Sequence, residues 1–365
     1  MKILLLGEYS NVHWTLAEGL RALGHEVTVV SNGDGWKDYP RDVDLRRRSL
    51  GKWDTAKYLW KLHQVFPQLT GYDVVQLINP IFLDLRAERM WAYYERLQNE
   101  NGKIVLGAYG MDHYWVKAAC DCKTFRYSDF YIGNHYRQTP DNDALIADWT
   151  GGEKERLNRY IAQSCDGIVA GLYEYDCAYR PDFGDKVCFI PFPIRVDKNF
   201  SPKTEVPEKV KFFIGIQSER SVYKGTDVML RALNRLAKKY PKQLEVRKVE
   251  NIPFATYQRI LGESDVLLDQ LYSYTPAMNG LLAMSRGLVL VGGGEPEHYE
   301  LLKEKELRPI INVLPNEESV FEELEQLLLH PERIPQLKKD SVEYVRRHHD
   351  YIKVAQQYDS FYHSL

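Results

Sequence analysis

The chain has 365 residues, 44% of them hydrophobic, and a formal charge of −3. That near-neutral balance excludes a protein that binds nucleic acid by bulk charge, while leaving room for a local basic pocket. The length exceeds the roughly 250–300 residues at which single cores stop growing, so two domains are expected. Five cysteines, an odd number, argue against a disulfide scaffold and fit a reducing compartment. Cys120-x-Cys122 lacks a matching pair at structural-zinc spacing, so no metal site is expected. Met1 to Gly7 is too short for a signal peptide, and no run approaches the roughly 20 apolar residues that span a bilayer. The expected location is cytoplasmic.

Lys2 to Leu6 reads as the first strand and Gly7 to Asn11 as its turn, with Ser10 or Asn11 capping a helix that buries Leu16, Leu20 and Leu23. Glu26 to Val30 is the second strand. This βαβ opening predicts a doubly wound α/β sheet, but the turn lacks the Gly-x-Gly-x-x-Gly spacing of dinucleotide binders. Residues 33–55 read as a mobile loop in which Asp42 and Asp44 are solvated. The run Arg46-Arg47-Arg48, with Trp53, Tyr58 and Trp60 nearby, has the composition of a peripheral membrane contact or of an ordinary amphipathic surface.

Further strands are expected at 73–78, 103–106, 167–170 and 187–190, with helices at 59–66, 85–100 and 153–164. The turn after residue 106 gathers Tyr109, Gly110, Asp112 and His113. Polar residues at the end of a parallel strand are candidate site residues: Asp112 to orient a hydroxyl, His113 to exchange a proton. Each could equally serve a helix cap. His13 joins them, one turn into the first helix. Residues 121–150 show no periodicity and read as an interdomain flap. The proline-rich stretch 191–202 and the charged stretch 203–210 form a hinge.

The second half opens with the strand Phe212 to Ile216, broken by Gly215. Arg220-Ser-Val-Tyr-Lys224-Gly225 follows, and then an amphipathic helix with Val228, Ala232, Leu233, Leu236 and Ala237 at helical spacing. Two cations, a glycine and a new helix N-terminus after a strand are the parts of a phosphate site. Thr226 or Asp227 suits the cap. Beyond the next strand, Asn251 could hold a base through backbone groups. Residues 264–269 form another strand. Thr275 would cap a helix whose first turn holds Pro276, Ala277, Met278 and Asn279. A strand at 288–291 leads to Gly292-Gly-Gly-Glu295-Pro-Glu297.

Taken together, these motifs resemble the glycosyltransferases built from two Rossmann-like domains facing a central cleft, the GT-B architecture, close to the retaining family 4. Arg220…Lys224-Gly225, the hinge from Pro193 to Pro202, Tyr109-Gly110-Met-Asp112 and Gly293-Gly294-Glu295-Pro296-Glu297 carry the resemblance. It implies an acceptor-side domain at 1–200, a donor domain at 205–347, and a last helix, 348–365, packing back on the first domain. It also implies transfer of a sugar, of hexosyl type, from a nucleotide-diphosphate sugar to a glycan or other hydroxyl acceptor, with retention and without a metal or further cofactor.

On that resemblance Arg220 and Lys224 grip the diphosphate and Asp112 orients the acceptor. Gly215, Gly225, Asn251, Tyr274, Pro276 to Asn279, Glu295 and Glu297 would face the donor. Gly7, Tyr9, Ser10, His13, Tyr109 and His113 would face the acceptor. The family's paired glutamates fall on Tyr274 and Leu282, neither of which carries charge, so Asn279 or Glu295 would take over part of their polar work. An epimerase of nucleotide sugars, with His13 or His113 as base, and a catalytically inactive binding homologue are the alternatives.

Overall fold

The computed structural model describes all residues, Met1–Leu365. Its strands in chain order are β1 Lys2–Leu6, β2 Glu26–Ser31, β3 Val43–Asp44, β4 Val74–Leu77, β5 Lys103–Ala108, β6 Tyr131–Ile132, β7 His135–Tyr136, β8 Gly167–Ala170, β9 Val187–Phe189, β10 Val210–Ile216, β11 Leu244–Glu250, β12 Val266–Leu268, β13 Val289–Gly292 and β14 Ile311–Asn312. The chain divides into two compact units. The first comprises residues 1–117, 144–193 and 351–365; the second comprises 118–143 and 194–350.

The first unit holds a sheet in the order β3-β2-β1-β4-β5-β8-β9, parallel throughout. Ile3, Leu4, Leu5 and Leu6 are all fully buried. Such unbroken apolar runs are what a parallel strand covered on both faces requires. The strand order reverses direction between β1 and β4, which makes their carboxyl ends the place where a doubly wound sheet opens to a ligand. Residues 33–55 are more ordered than their composition predicts. β3 joins the sheet edge, Asp42 accepts from the Val29 amide (2.7 Å) and pairs with Arg21, and Asp44 pairs with Arg41. Local pairs of Arg41 with Asp38 and Asp44, and the longer-range Arg21–Asp42 pair, supply that order.

The helix Val12–Ala22 buries Leu16 and Leu20, while Leu23 is only half-buried. Neither Ser10 nor Asn11 caps it. Both sit at positive φ, and the Glu8 carboxylate accepts from the amides of His13 (3.2 Å) and Trp14 (2.9 Å) instead. The last helix, Tyr351–Ser364, lies against this one at Gly19, where a Cβ would stand 2.5 Å from the Tyr351 carbonyl oxygen and 2.7 Å from Ala355 Cβ. Its tyrosines enter a buried hydroxyl chain. Tyr362 donates to Gln76 Oε1 (2.6 Å), Gln76 Nε2 donates to the Tyr109 hydroxyl (3.1 Å), and the Tyr109 and Tyr358 hydroxyls stand 2.5 Å apart.

The second unit holds a parallel sheet in the order β11-β10-β12-β13-β14. Here the reversal falls between β10 and β12. The helix Thr226–Lys239 covers one face through Met229, Ala232, Leu233 and Leu236. Met229 is fully buried, whereas the expected contacts Val228 and Ala237 lie at the margin. Below the sheet, Lys338 and Asp265 form a buried ion pair at 2.5 Å, and Asp265 also accepts from the Lys211 amide (2.9 Å). Residues 118–143 pack here, in the second unit, rather than with the first 200 residues as expected. Their β6–β7 hairpin is antiparallel.

Because the obstruction at Gly19 includes backbone, Gly19→Ala is expected to lower stability by about 1–3 kcal/mol, read from urea denaturation. Gly24→Ala should separate the two causes. Gly24 adopts φ +92° with open space around it, so only conformational strain would appear there.

Candidate donor and acceptor sites

In the second unit, the chain leaves β10 through Gln217, the 3₁₀ turn Ser218–Arg220 and a single helical turn, Ser221–Lys224. Gly225 then takes φ +73° and the helix Thr226–Lys239 begins. The cap is therefore this left-handed glycine, not Thr226 or Asp227. A Cβ on Gly225 would lie 2.6 Å from Leu271 Cβ and Tyr272 Cε2, so conformation and close approach both demand glycine. The Leu271 amide donates to the Lys224 carbonyl (3.0 Å), which ties the loop after β10 to the loop after β12.

The Lys224 charge acts on Asp269, the residue following β12. Burial raises the Asp269 pKa, while the hydrogen bond from Asn279 and the Lys224 charge oppose the rise. Asn279 Nδ2 donates to Asp269 Oδ1 (2.8 Å), and the Tyr257 hydroxyl donates to Asn279 Oδ1 (2.9 Å). Gly215 accommodates this ring, since a Cβ there would lie 2.5 Å from Tyr257 Cε2. Asn251 joins from the end of β11, its amide donating to Ser218 Oγ (2.7 Å). Gly215, Lys224, Gly225, Asn251 and Asn279 are thus gathered around the strand ends.

Arg220 is exposed, its guanidinium 5.5 Å from the centre of the Tyr223 ring. The structure leaves it at the surface of the turn, outside the Asp269–Asn279 network. The helix expected at Pro276 is Met278–Ser285, with Ala277 as its N-cap residue, so Thr275 and Pro276 lie ahead of it.

A second cluster surrounds Tyr274. The Arg126 amide donates to its hydroxyl (2.6 Å), and the Tyr127 ring stacks on it at 4.7 Å and 28°. Arg126 also binds Glu295 (2.7 Å) and Glu297, and Tyr127 donates to Glu295 Oε1 (2.6 Å). Arg126 holds the Glu297 carboxyl below its usual range. Glu295 is buried, and its amide donates to the Tyr274 carbonyl (3.1 Å), which sets the two residues side by side. Gly293 permits this approach, since any side chain there would strike the Ser273 carbonyl. Arg137 clips the same segment to the turn Ser221–Lys224 after β10. Its guanidinium lies 3.3 Å from the Tyr272 ring centre and donates to the Val222 carbonyl (2.8 Å).

In the first unit, a pocket of about 260 Å³ opens at the carboxyl ends of β1, β2 and β4. Gly7, Glu8, Tyr9, Asn32, Tyr58 and Asp84 line it with several aliphatic side chains. Gly7 has φ +89°, and a Cβ there would collide with Ile78. Asn32 Nδ2 reaches both oxygens of Asp84 (3.0 and 3.1 Å). Ser10 lies beside the pocket, its amide donating to Asp34 and its hydroxyl accepting from Lys37. Burial pushes the Glu8 carboxyl up to about 8, against three backbone hydrogen bonds, from Trp14, His13 and Tyr9, that lower it.

The other acceptor-side candidates are buried and hydrogen-bonded within the first unit. His13 is fully buried, its Nδ1 2.8 Å from the Gly7 carbonyl and its Nε2 3.3 Å from the Gln76 amide. Burial lowers its pKa to about 3, which keeps the ring neutral. Tyr109 belongs to the hydroxyl chain of the last helix. His113 is held by the Trp149 carbonyl (3.0 Å), and burial lowers its pKa too. Asp112 is fully buried, accepting from the Trp115 amide (2.9 Å) and the Tyr179 hydroxyl (2.7 Å). Burial raises its pKa to about 7. It caps the helix His113–Cys120, the alternative that its position after a strand left open.

Sequence reasoning did not single out Arg126, Tyr127, Arg137, Tyr257 and Asp269 in the clusters of the second unit, or Glu8, Asn32, Tyr58 and Asp84 in the pocket of the first. Of these, Glu8, Asn32 and Asp269 carried a positional signal, each standing just after an apolar strand.

No family model matches the sequence, and no curated protein matches it. Solved structures do match over the whole chain. Sucrose-phosphate synthase from Thermosynechococcus elongatus aligns with TM-score 0.65 and 13% identity, covering 100% of this chain and 99% of that one. Anabaena HepE, solved with UDP and glucose, aligns at 0.63 and 11%, covering 100% of both. A putative UDP-N-acetylglucosamine 2-epimerase from Listeria monocytogenes aligns at 0.55 and 11%, covering 98% and 94%. The fold of this chain is the GT-B arrangement of two Rossmann-like domains that solved glycosyltransferases share.

Raising the pKa of an acid means the folded state favours its protonated form. Glu8 therefore contributes stability fully below its ordinary value of 4.5, and the contribution fades as pH rises to about 8. Relative to Glu8→Gln, the wild-type melting temperature is expected to decline across that window and to run parallel above it.

Proposed function

We propose that this protein is a glycosyltransferase that moves a sugar from a nucleoside-diphosphate sugar, with uridine as the base, to a hydroxyl acceptor. The observation that carries this reading is the donor-side construction. Lys224 is locked by Gly225 and Leu271 at the strand reversal of the second sheet, beside Asn279 in the first turn of the helix Met278–Ser285. The full-length match to HepE, solved with UDP, supports the choice of donor.

In the reaction the bond between the anomeric carbon and the donor phosphate oxygen breaks, and the electron pair leaves with the diphosphate. The acceptor oxygen bonds to the anomeric carbon, and its proton passes to the departing phosphate. Retention of configuration accords with the family resemblance. Negative charge grows on the diphosphate as the bond breaks. Lys224, the exposed Arg220 and the backbone N–H groups of residues 277–279 would meet that charge. In this scheme the diphosphate needs no metal bridge.

Glu295 takes the part of the family's first glutamate, whose position Tyr274 occupies. Its amide bond to the Tyr274 carbonyl puts a carboxylate beside that position, and Arg126 and Tyr127 fix its orientation toward a sugar hydroxyl. The acceptor enters the Glu8–Asp84 pocket, where a protonated Glu8 can donate a hydrogen bond. Asp112 serves as a positioning residue for the loop after β5.

Charged hydrogen bonds to phosphate are worth about 1.5–3 kcal/mol, so Lys224→Ala is expected to weaken UDP binding about 10- to 100-fold by calorimetry, and Arg220→Ala somewhat less. Unchanged affinity in both would refute the grip. Glu295→Gln should leave UDP binding within about twofold while lowering turnover about 100-fold, the loss expected of a contact to the reacting sugar. The shared fold of the solved epimerase makes isomerisation the competing reading. Isomerised UDP-sugar formed without any acceptor would favour it, although both histidines that could act as base are buried and held by neighbouring groups.

A further inference from the structure

The helix Lys52–Val65 turns Tyr58 and Leu62 inward, and Tyr58 lines the pocket of the first unit. Its outer face is unlike an ordinary wet surface. Trp53 is 83% exposed and Trp60 64% exposed, and Leu50, just ahead of the helix, is 85% exposed. Seven residues is close to two helical turns, so the two indoles share one stripe, about 10 Å apart along the axis, with Lys57 between them.

The charge around this stripe is one-sided. Arg46, Arg47, Arg48, Lys52, Lys57 and Lys61 fall between Leu45 and Val65 against a single acid, Asp54, in a chain whose net charge is −3. Asp54 accepts from the Ser49 hydroxyl (2.6 Å). Arg46 pairs with Asp38, and Arg47 binds backbone carbonyls and Thr55. Arg48, Lys52 and Lys57 are exposed and enter no ion pair.

We propose that this face docks the protein on an anionic phospholipid surface. Indole rings favour the headgroup boundary, where the apolar ring and the polar N–H are both accommodated. The lysine and arginine stems lie along apolar surface while their heads meet lipid phosphates. Tryptophan and leucine supply apolar burial, the cations supply attraction, and neither suffices alone. A neutral protein partner would explain the tryptophans but not the cations; a nucleic acid would explain the cations but not the leucine. On the transferase reading, docking would also bring the pocket walled by Tyr58 to lipid-bound acceptors. The docking itself does not depend on that reading.

The full chain is mixed with vesicles of phosphatidylcholine alone, or of phosphatidylcholine with about 30 mol% phosphatidylglycerol, and floated on a density gradient. Binding to the anionic vesicles is expected to exceed binding to the neutral ones about tenfold and to fall steeply as salt is raised. The double variants Trp53→Ser/Trp60→Ser and Arg48→Glu/Lys52→Glu should each reduce binding about fivefold or more, with melting temperatures near wild type because all four side chains are exposed. A blue shift in tryptophan emission with anionic vesicles should vanish in the first variant. Equal binding to both vesicle types, no binding, or binding indifferent to either variant would overturn the proposal. Lipid-free self-association abolished by Trp53→Ser/Trp60→Ser would overturn it by assigning the face to a second copy. Thermal shift with UDP on the same samples keeps this outcome separate from that of the transferase reading.

Discussion

The hydrogen bond from the Leu271 amide to the Lys224 carbonyl governs the strand-end loops of the second sheet. It spans two loops that follow neighbouring strands, and it forms only because Gly225 turns left-handed and has no side chain to strike Leu271 or Tyr272. Fixing the lysine through its backbone holds its charge beside Asp269. The same contact sets the loop after β12, and through it the place of Asp269, Asn279 and the helix Met278–Ser285. A substitution at Gly225 would therefore disturb residues some fifty positions away in sequence.

Carboxylates complicate this arrangement in an informative way. Asp269, Glu295 and Glu297 lie where an anionic ligand is expected, and each has a specific restraint. Asn279 and the Lys224 charge address Asp269, while Arg126 binds both glutamates and Tyr127 donates to one. Restrained acids of this kind repel a diphosphate less than free ones would, and they keep a defined direction from which to accept sugar hydroxyls. The aromatic stack of Tyr127 on Tyr274 holds the restraining segment in register.

The fold was legible because parallel strands are written as local apolar runs, such as Ile3–Leu6 and Phe212–Ile216, and because helix faces repeat at short range. Two glycines were legible for a related reason: Gly215 and Gly225 sit at or just after a strand where the backbone turns or a ring packs close. Other candidates proved to have buried partners that local pattern does not show. Asp112, His13 and Tyr109 carry reactive groups near strand ends, but their partners are Tyr179, Gln76 and Tyr358, separated from them by 67, 63 and 249 positions. Position in sequence does not reveal whether a polar group is already satisfied. Residues 118–143 were opaque for the same reason. Their order comes from Arg126 pairing with Glu295 and Glu297 about 170 positions on, and nothing periodic announces it.

The assignment of 118–143 to the second unit changes what counts as an independent piece of this protein. The polypeptide passes from one unit to the other four times, at residues 117–118, 143–144, 193–194 and 350–351. A chimera that grafts residues 194–350 onto a foreign acceptor domain would leave Arg126 behind, and with it the counter-ion of two adjacent acids. Donor-domain exchange among proteins of this fold would here require transplanting an internal loop along with the contiguous half.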